Sequence, residues 1–246
     1  IQTIGAPLAF AATAVTYAAP VTAIYFMRPR QRATPAQAAA TGYLNQLTEG
    51  WRYALERQHL RAAVIFAGIG ALAGRSVLET LPILANGVFG QGPSGLGYMT
   101  AAAGAGAAAA SIFKALSRPQ TPGEFQPQIL AMPVIIPLLV ASFAMIGDFA
   151  TAVAAVALVG ATVTLMSISL QSTVQMEIED QYRGRVMGLW TTISIGSGAA
   201  GAVLMGFLVD LVGVAPAQLM IGLVLAAASV LAVSYTHLRA HETEAY

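Results

Sequence analysis

The sequence predicts an all-α polytopic membrane protein, a bundle of about seven transmembrane helices, and three observations carry that reading. Hydrophobic residues make up 57% of the chain and charged residues 9%, against about 25% charged in a soluble domain. So few charges cannot clothe a water-facing surface, and most of the outside must face lipid. Long apolar stretches recur, and a bilayer core takes about twenty apolar residues as a helix. Finally, all but Arg75 and Arg239 of the 12 basic residues lie in alternate gaps between those stretches. Arg28, Arg30, Arg32, Arg52, Arg57 and Arg61 follow the first stretch, Lys114 and Arg118 the third, Arg183 and Arg185 the fifth. The other gaps hold only the acids Asp148 and Asp210. Basic residues near span ends are retained in the cytoplasm, which orients the N-terminus outside and the C-terminus inside.

The predicted spans are residues 6–27, 60–84, 96–115, 129–146, 150–174, 186–209 and 217–233. In lipid the backbone must satisfy its own hydrogen bonds, so each is a helix. Residues 1–27 hold the last span of an N-terminal half. The chain opens at Ile1 within an apolar run and reads as a fragment or processed product. Residues 28–59 form a central cytoplasmic loop. Within it Thr34-Pro35 suits a helix start. Leu44, Leu47, Trp51, Ala54, Leu55 and Gln58 then recur at helical spacing opposite Asn45, Glu49, Arg52 and Glu56. That pattern predicts an amphipathic helix on the membrane surface; an ordinary solvated linker helix is the other reading. Residues 60–233 form a six-helix half. Residues 234–246 end the apolar run abruptly and resemble the translation of a sequencing-library adapter, so they read as a non-native tail. His237 and His241, four apart as metal ligands could be, fall in that tail.

Few residues here could carry chemistry. With no cysteine, there is no disulfide, thiolate metal site or Cys nucleophile. No nucleophile–base pair, carboxylate pair or metal cluster is visible, so neither an enzyme nor a cofactor is expected. No basic face for nucleic acid exists. Gly104-Ala105-Gly106-Ala107-Ala108-Ala109 spells a dinucleotide fingerprint, but such a fingerprint needs a preceding strand. Inside an apolar span it predicts close helix packing through small residues. Gly198, Gly201, Ala202 and Gly206 predict a packing ridge of the same kind.

Arg75 and Glu79 are the informative charges. They stand four apart on one face of the second span. An Arg at the centre of a span costs roughly 2.5–3.5 kcal/mol on insertion scales, so the pair should face protein or a water-filled cavity. Intramembrane charges are functional candidates by default; a structural ion pair is the alternative. Thr164, Ser167, Gln171 and Gln175 form a polar stripe on the fifth span, which substrate contact and interhelical bonding explain equally well.

Three stretches resemble the major facilitator superfamily of transporters. Leu170-Gln171, Arg183-Gly184-Arg185-Val186-Met187, and the glycine-rich run ending in Gly206, Asp210 and Gly213 are similar to its tenth and eleventh helices. The closest likeness is the drug- and siderophore-exporter (enterobactin exporter-like) branch. Leu81-Pro82 and the glycines from Gly95 to Gly106 resemble helices seven and eight. The resemblance implies that the seven spans are helices six to twelve of a twelve-helix fold whose N-terminal half is a partner from outside this chain. It implies a secondary transporter, an antiporter or efflux protein of the bacterial inner membrane. Such a protein exports amphiphilic small molecules by alternating access. Arg75, Glu79 and Gln171 become substrate-cavity candidates. Arg183, Arg185, Asp180, Lys114 and Arg118 become cytoplasmic gate candidates, although retention of topology alone also accounts for the arginines. Two departures stand out: the gap holding Lys114 and Arg118 lacks the acid of the family's gating motif, and Met176 stands where a proline is common. A non-transporting scaffold or receptor on the same fold is the competing class.

Overall fold

The computed structural model describes residues 5–27, 43–117 and 127–243. Every regular element among the described residues is helical. Arg28, Arg30, Arg32, Thr34, Pro35 and Arg118 lie outside the described residues. The chain divides into two compact units, Ile1–Ala40 and Thr41–Tyr246. The first holds α1 (Gly5–Phe26), 22 residues with no charged side chain and Pro20 inside. The second holds α2 (Tyr43–Glu56), α3 (Gln58–Ile83), α4 (Gly92–Leu116), α5 (Pro127–Ser142), α6 (Phe149–Glu177), α7 (Arg183–Val212) and α8 (Val214–Thr243).

Among the described residues, five stretches are long and apolar enough to cross a bilayer: Gln58–Val88, Gly92–Leu116, Phe149–Glu177, Arg183–Val212 and Val214–Tyr235. Ile129–Met145 is a shorter apolar helix. Six of the seven expected spans fall on these stretches, and the first falls on α1, which is not among them. Helix α5 carries Pro133 and Pro137 and ends in a 3₁₀ turn, Phe143–Met145. Because a 3₁₀ turn rises about 2 Å per residue against about 1.5 Å in an α-helix, α5 and its turn together still cover about 30 Å.

The hub of the second unit is α3, which packs against α5, α6, α7 and α8. Its apolar residues Leu60, Phe66, Ala73, Val77 and Leu81 are buried. Pro82, lacking an N–H, frees a carbonyl one turn back. The helix then opens into a π-helical turn, Leu84–Val88, which the Phe89 N–H closes on the Leu84 carbonyl at 2.9 Å. Gly90 and Gly92, both at φ 61°, reverse the chain into α4. Asp148 caps α6 by accepting from the Thr151 N–H at 2.8 Å. Gly213, at φ 87°, turns the chain between α7 and α8.

Small residues set the helix spacing, as a medium without water leaves dispersion to hold helices together. A Cβ on Gly106 would lie 1.9 Å from the Ala157 carbonyl oxygen, and one on Gly160 would lie 2.2 Å from that of Ala103. Gly104, its neighbour in the fingerprint-like run, has nothing within 4 Å. In α7 the close contact belongs to Gly201, whose Cβ would fall 2.4 Å from the Leu72 carbonyl oxygen. Gly198 and Gly201 are buried, Ala202 is half-buried, and Gly206 faces no atom within 4 Å.

The amphipathic helix forms, and one side of it packs on protein. Gly50, Tyr53 and Ala54 of α2 are buried, while Trp51 and Leu55 are exposed. The reason is α7: a Cβ on Gly50 would sit 3.0 Å from the Arg185 Cβ, so the gap at Gly50 seats α2 against protein. Trp51 and Leu55 are left for another medium.

Candidate functional site

Arg75 and Glu79, placed by their spacing on one face of the second span, form an ion pair. Arg75 Nη2 lies 2.8 Å from Glu79 Oε1, one helical turn away. Their side chains are 56% and 45% exposed and border an open cleft of about 660 Å³ between α3, α6 and α7. At about 1.5 Å per residue, Arg75 stands about 21 Å along α3 from Arg61, well into the span. The lining is otherwise made of the small residues Ala71, Gly74, Gly198, Ala199 and Ala202 and the apolar residues Leu78, Val163, Ile195 and Val203. Ser194 adds the one uncharged polar side chain. Gly198 faces the Arg75 stem at an ordinary contact distance, since a Cβ there would be 3.7 Å from both Arg75 Cβ and Cγ. Gly74 lets α6 approach, since its Cβ would meet Val163 Cγ2 at 2.7 Å. With Gly201 against Leu72, Gly74 brings three helices close enough to share one cleft.

Gln171 does not join this cleft. Val163 is the cleft's lining residue from α6, and Gln171 lies about 12 Å further along that helix. It is half-buried at another level. Of the polar stripe, Ser167 and Gln175 are exposed and Thr164 is half-buried. Ser169 and Thr173, which spacing did not single out, are the buried polar residues of α6.

A second cluster joins α2 to the turn between α6 and α7. Arg185 pairs with Glu49 of α2. Arg57, between α2 and α3, pairs with Glu179 and lies over the Tyr53 ring, 4.1 Å from its centroid. The Tyr53 and Tyr182 rings stack at 4.2 Å with a 26° tilt. The Glu179 N–H donates to the Tyr53 hydroxyl at 3.1 Å. Gln181 Nε2 donates to Glu179 Oε2 at 3.0 Å. Hydrogen bonds from Gln181 and then Arg57 hold the Glu179 carboxyl below its ordinary range, and the same contact holds Arg57 above its own. Of the gate candidates, Arg183 and Asp180 pair with each other at 3.0 Å, both largely exposed. Lys114 is half-buried in the last turn of α4, and no contact recorded for the described residues draws it into this cluster. Tyr53, Arg57 and Tyr182 are the members that sequence reasoning missed. The Gly50–Tyr53–Ala54 spacing was the signal available.

Among the described residues no group of three or more His, Asp or Glu could hold a metal ion. No curated protein and no solved structure matches the chain. A family model described as transmembrane secretion effector matches residues 1–246. That match spans the helices, the cleft and the cluster alike, and it shows that the chain belongs to the MFS_3 family of transmembrane secretion effectors, transporters of the major facilitator superfamily.

Proposed function

We propose that this protein is an exporter of amphiphilic small molecules, of drug or siderophore type, working by alternating access in a bacterial inner membrane. In this reading α3 to α8 form one half of the transporter, and α1 closes the preceding half. The observation that carries it is the Arg75–Glu79 pair in a cleft otherwise lined by apolar and small residues. A helix bears the insertion cost of charges when they face a cavity, and about 660 Å³ falls among volumes typical of small-molecule sites, about 300–1,000 Å³. Arg75 and Glu79 contact the cargo. Gln171, at a different level of α6, meets it at another stage of passage. Arg185 and Arg57 tie the cytoplasmic ends of α7 and α3 to α2 and to the α6–α7 turn, and the ties break when that end opens. Arg183 and Asp180 flank this gate, Lys114 serves the same cytoplasmic end of the bundle, and the C-terminus is cytoplasmic.

The test is cargo efflux from proteoliposomes holding the full-length protein, with and without an uncoupler, for wild type and Glu79→Gln. Efflux that falls at least about tenfold in the variant, at equal protein, supports the reading. Undiminished efflux in the variant removes Glu79 from it, and no efflux of any amphiphile by wild type removes the exporter itself.

A further inference from the structure

The charges of the cleft point to a more specific cargo than an amphiphile. We infer that the cleft selects molecules whose head carries both a cationic and an anionic group, a zwitterion such as an amino-acid-like head on an apolar body. This rests on reading the cleft as the cargo site.

Two features of the pair lead there. First, Arg75 and Glu79 are the sole charges on the lining, so its net charge is zero, and they stand on one turn of one helix. Cargo cannot separate them, so positive and negative poles are presented together at a fixed spacing. Second, the contact joins one guanidinium nitrogen to one carboxylate oxygen. A guanidinium has five N–H donors and a carboxylate about four acceptor sites, and both side chains border the cleft and are about half exposed. Bonding capacity beyond this contact is open to whatever enters.

A cargo group with a single charge is drawn to one pole and repelled by the other close behind it, so the repulsion offsets part of the attraction and of the compensation for its lost hydration. A zwitterionic head can set each of its charges nearest the opposite pole, so its two short attractions outweigh the two longer repulsions. Its carboxylate takes donors of Arg75, its ammonium takes oxygens of Glu79, and Ser194 is placed to bond either. The apolar body then lies against the small and apolar lining residues, Gly198, Ala199, Ala202, Leu78 and Ile195 among them.

Three probes with one fluorescent body separate these cases: Nε-dansyl-lysine with a zwitterionic head, 6-(dansylamino)hexanoate with a carboxylate, and dansylcadaverine with an ammonium. Binding is read as dansyl fluorescence on the purified full-length protein in detergent, corrected for empty micelles. Wild type should bind the zwitterion about tenfold more tightly than either other probe, a difference of about 1.4 kcal/mol. Glu79→Gln should move the carboxylate probe to first place, and Arg75→Gln the ammonium probe. The exchanged variant R75E/E79R retains both poles, should retain the zwitterion in first place, and serves if a single variant does not fold. Equal affinities in wild type, a singly charged probe in first place, no binding of any probe, an order unmoved in the folded single variants, or loss of the zwitterion preference in R75E/E79R would overturn the inference. Efflux is scored separately. A zwitterion preference without efflux removes the exporter reading and leaves the selectivity standing; efflux without the preference does the reverse.

Discussion

Gly106 and Gly104 sit two residues apart in the same run, and the structure gives them opposite fates. Replacing Gly106 by Ala places a Cβ 1.9 Å from the Ala157 carbonyl oxygen. An ordinary contact is about 3.5 Å, so α4 and α6 must part locally by about 1.5 Å. Backbone atoms lie on the far side of the contact, so no side chain can turn aside. Overpacking of this kind costs about 1–3 kcal/mol, and at about 2–4 °C per kcal/mol for a chain of this size the midpoint should fall by about 2–12 °C. Gly160→Ala meets the Ala103 carbonyl oxygen at 2.2 Å and should behave alike. Once one substitution has separated the helices the second finds space, so the double variant should lose less than the two single losses added together. Gly104→Ala, with nothing within 4 Å, should be neutral or gain up to about 1 kcal/mol, since Ala is the better helix former. The assay is thermal unfolding in one detergent for all four variants. Equal shifts for G104A and G106A, or full additivity of G106A and G160A, would refute the argument that direct backbone approach fixes this helix pair.

Further expectations concern the α2 cluster and the turns. The chain has no cysteine, and a Cβ on Gly50 would stand 3.0 Å from the Arg185 Cβ, so a Gly50→Cys and Arg185→Cys pair should form a disulfide under mild oxidant after a slight shift, read as altered mobility on a gel, whereas Glu56→Cys with Arg185→Cys should not. Glu179 has a depressed pKa in the folded protein, so its contribution to stability is fully present above the ordinary carboxylate pKa and lost as pH falls through the lower folded value. Acid titration of unfolding midpoints should therefore show a loss in that window that is reduced in Glu179→Gln. The same sign applies to Asp148, whose carboxyl is depressed by bonding to Thr151: Asp148→Asn should keep the cap and flatten the acid response. Gly213→Ala, held at φ 87° and ψ 170°, should lower stability by the roughly 1–3 kcal/mol that a side chain costs in a backbone region open essentially to glycine alone.

The membrane class was legible because it depends on totals and on one-dimensional order, namely how apolar the chain is and which gaps hold its arginines. The ion pair was legible because its partners are one turn apart on one helix. The surroundings of that pair were not. Val163 lies about ninety residues away along the chain, and its presence in the cleft follows from Gly74 allowing α6 to approach. Gln171 looked equivalent by residue type, yet a difference of two helical turns along α6 removes it from that cleft. For α2, hydrophobicity pointed to Trp51 and Leu55, because a face built around Gly50 adds little to an apolar count even where it makes the closest contact. Along α7 the close approach falls at Gly201, while a Cβ on Gly206 would meet nothing within 4 Å among the described residues. Small residues permit approach, and only a partner at that height turns permission into contact.

A single extended residue, Arg57 at φ −95° and ψ 118°, separates the end of α2 from the start of α3. One residue is too short a joint to absorb a rotation of either helix. With its other flank held to the α6–α7 turn, α2 acts as a pointer fixed to the hub helix, and any tilt of α3 must either swing that pointer or strain its ties. A spectroscopic label on exposed Trp51 would therefore report on the interior of the bundle from a position that touches none of it.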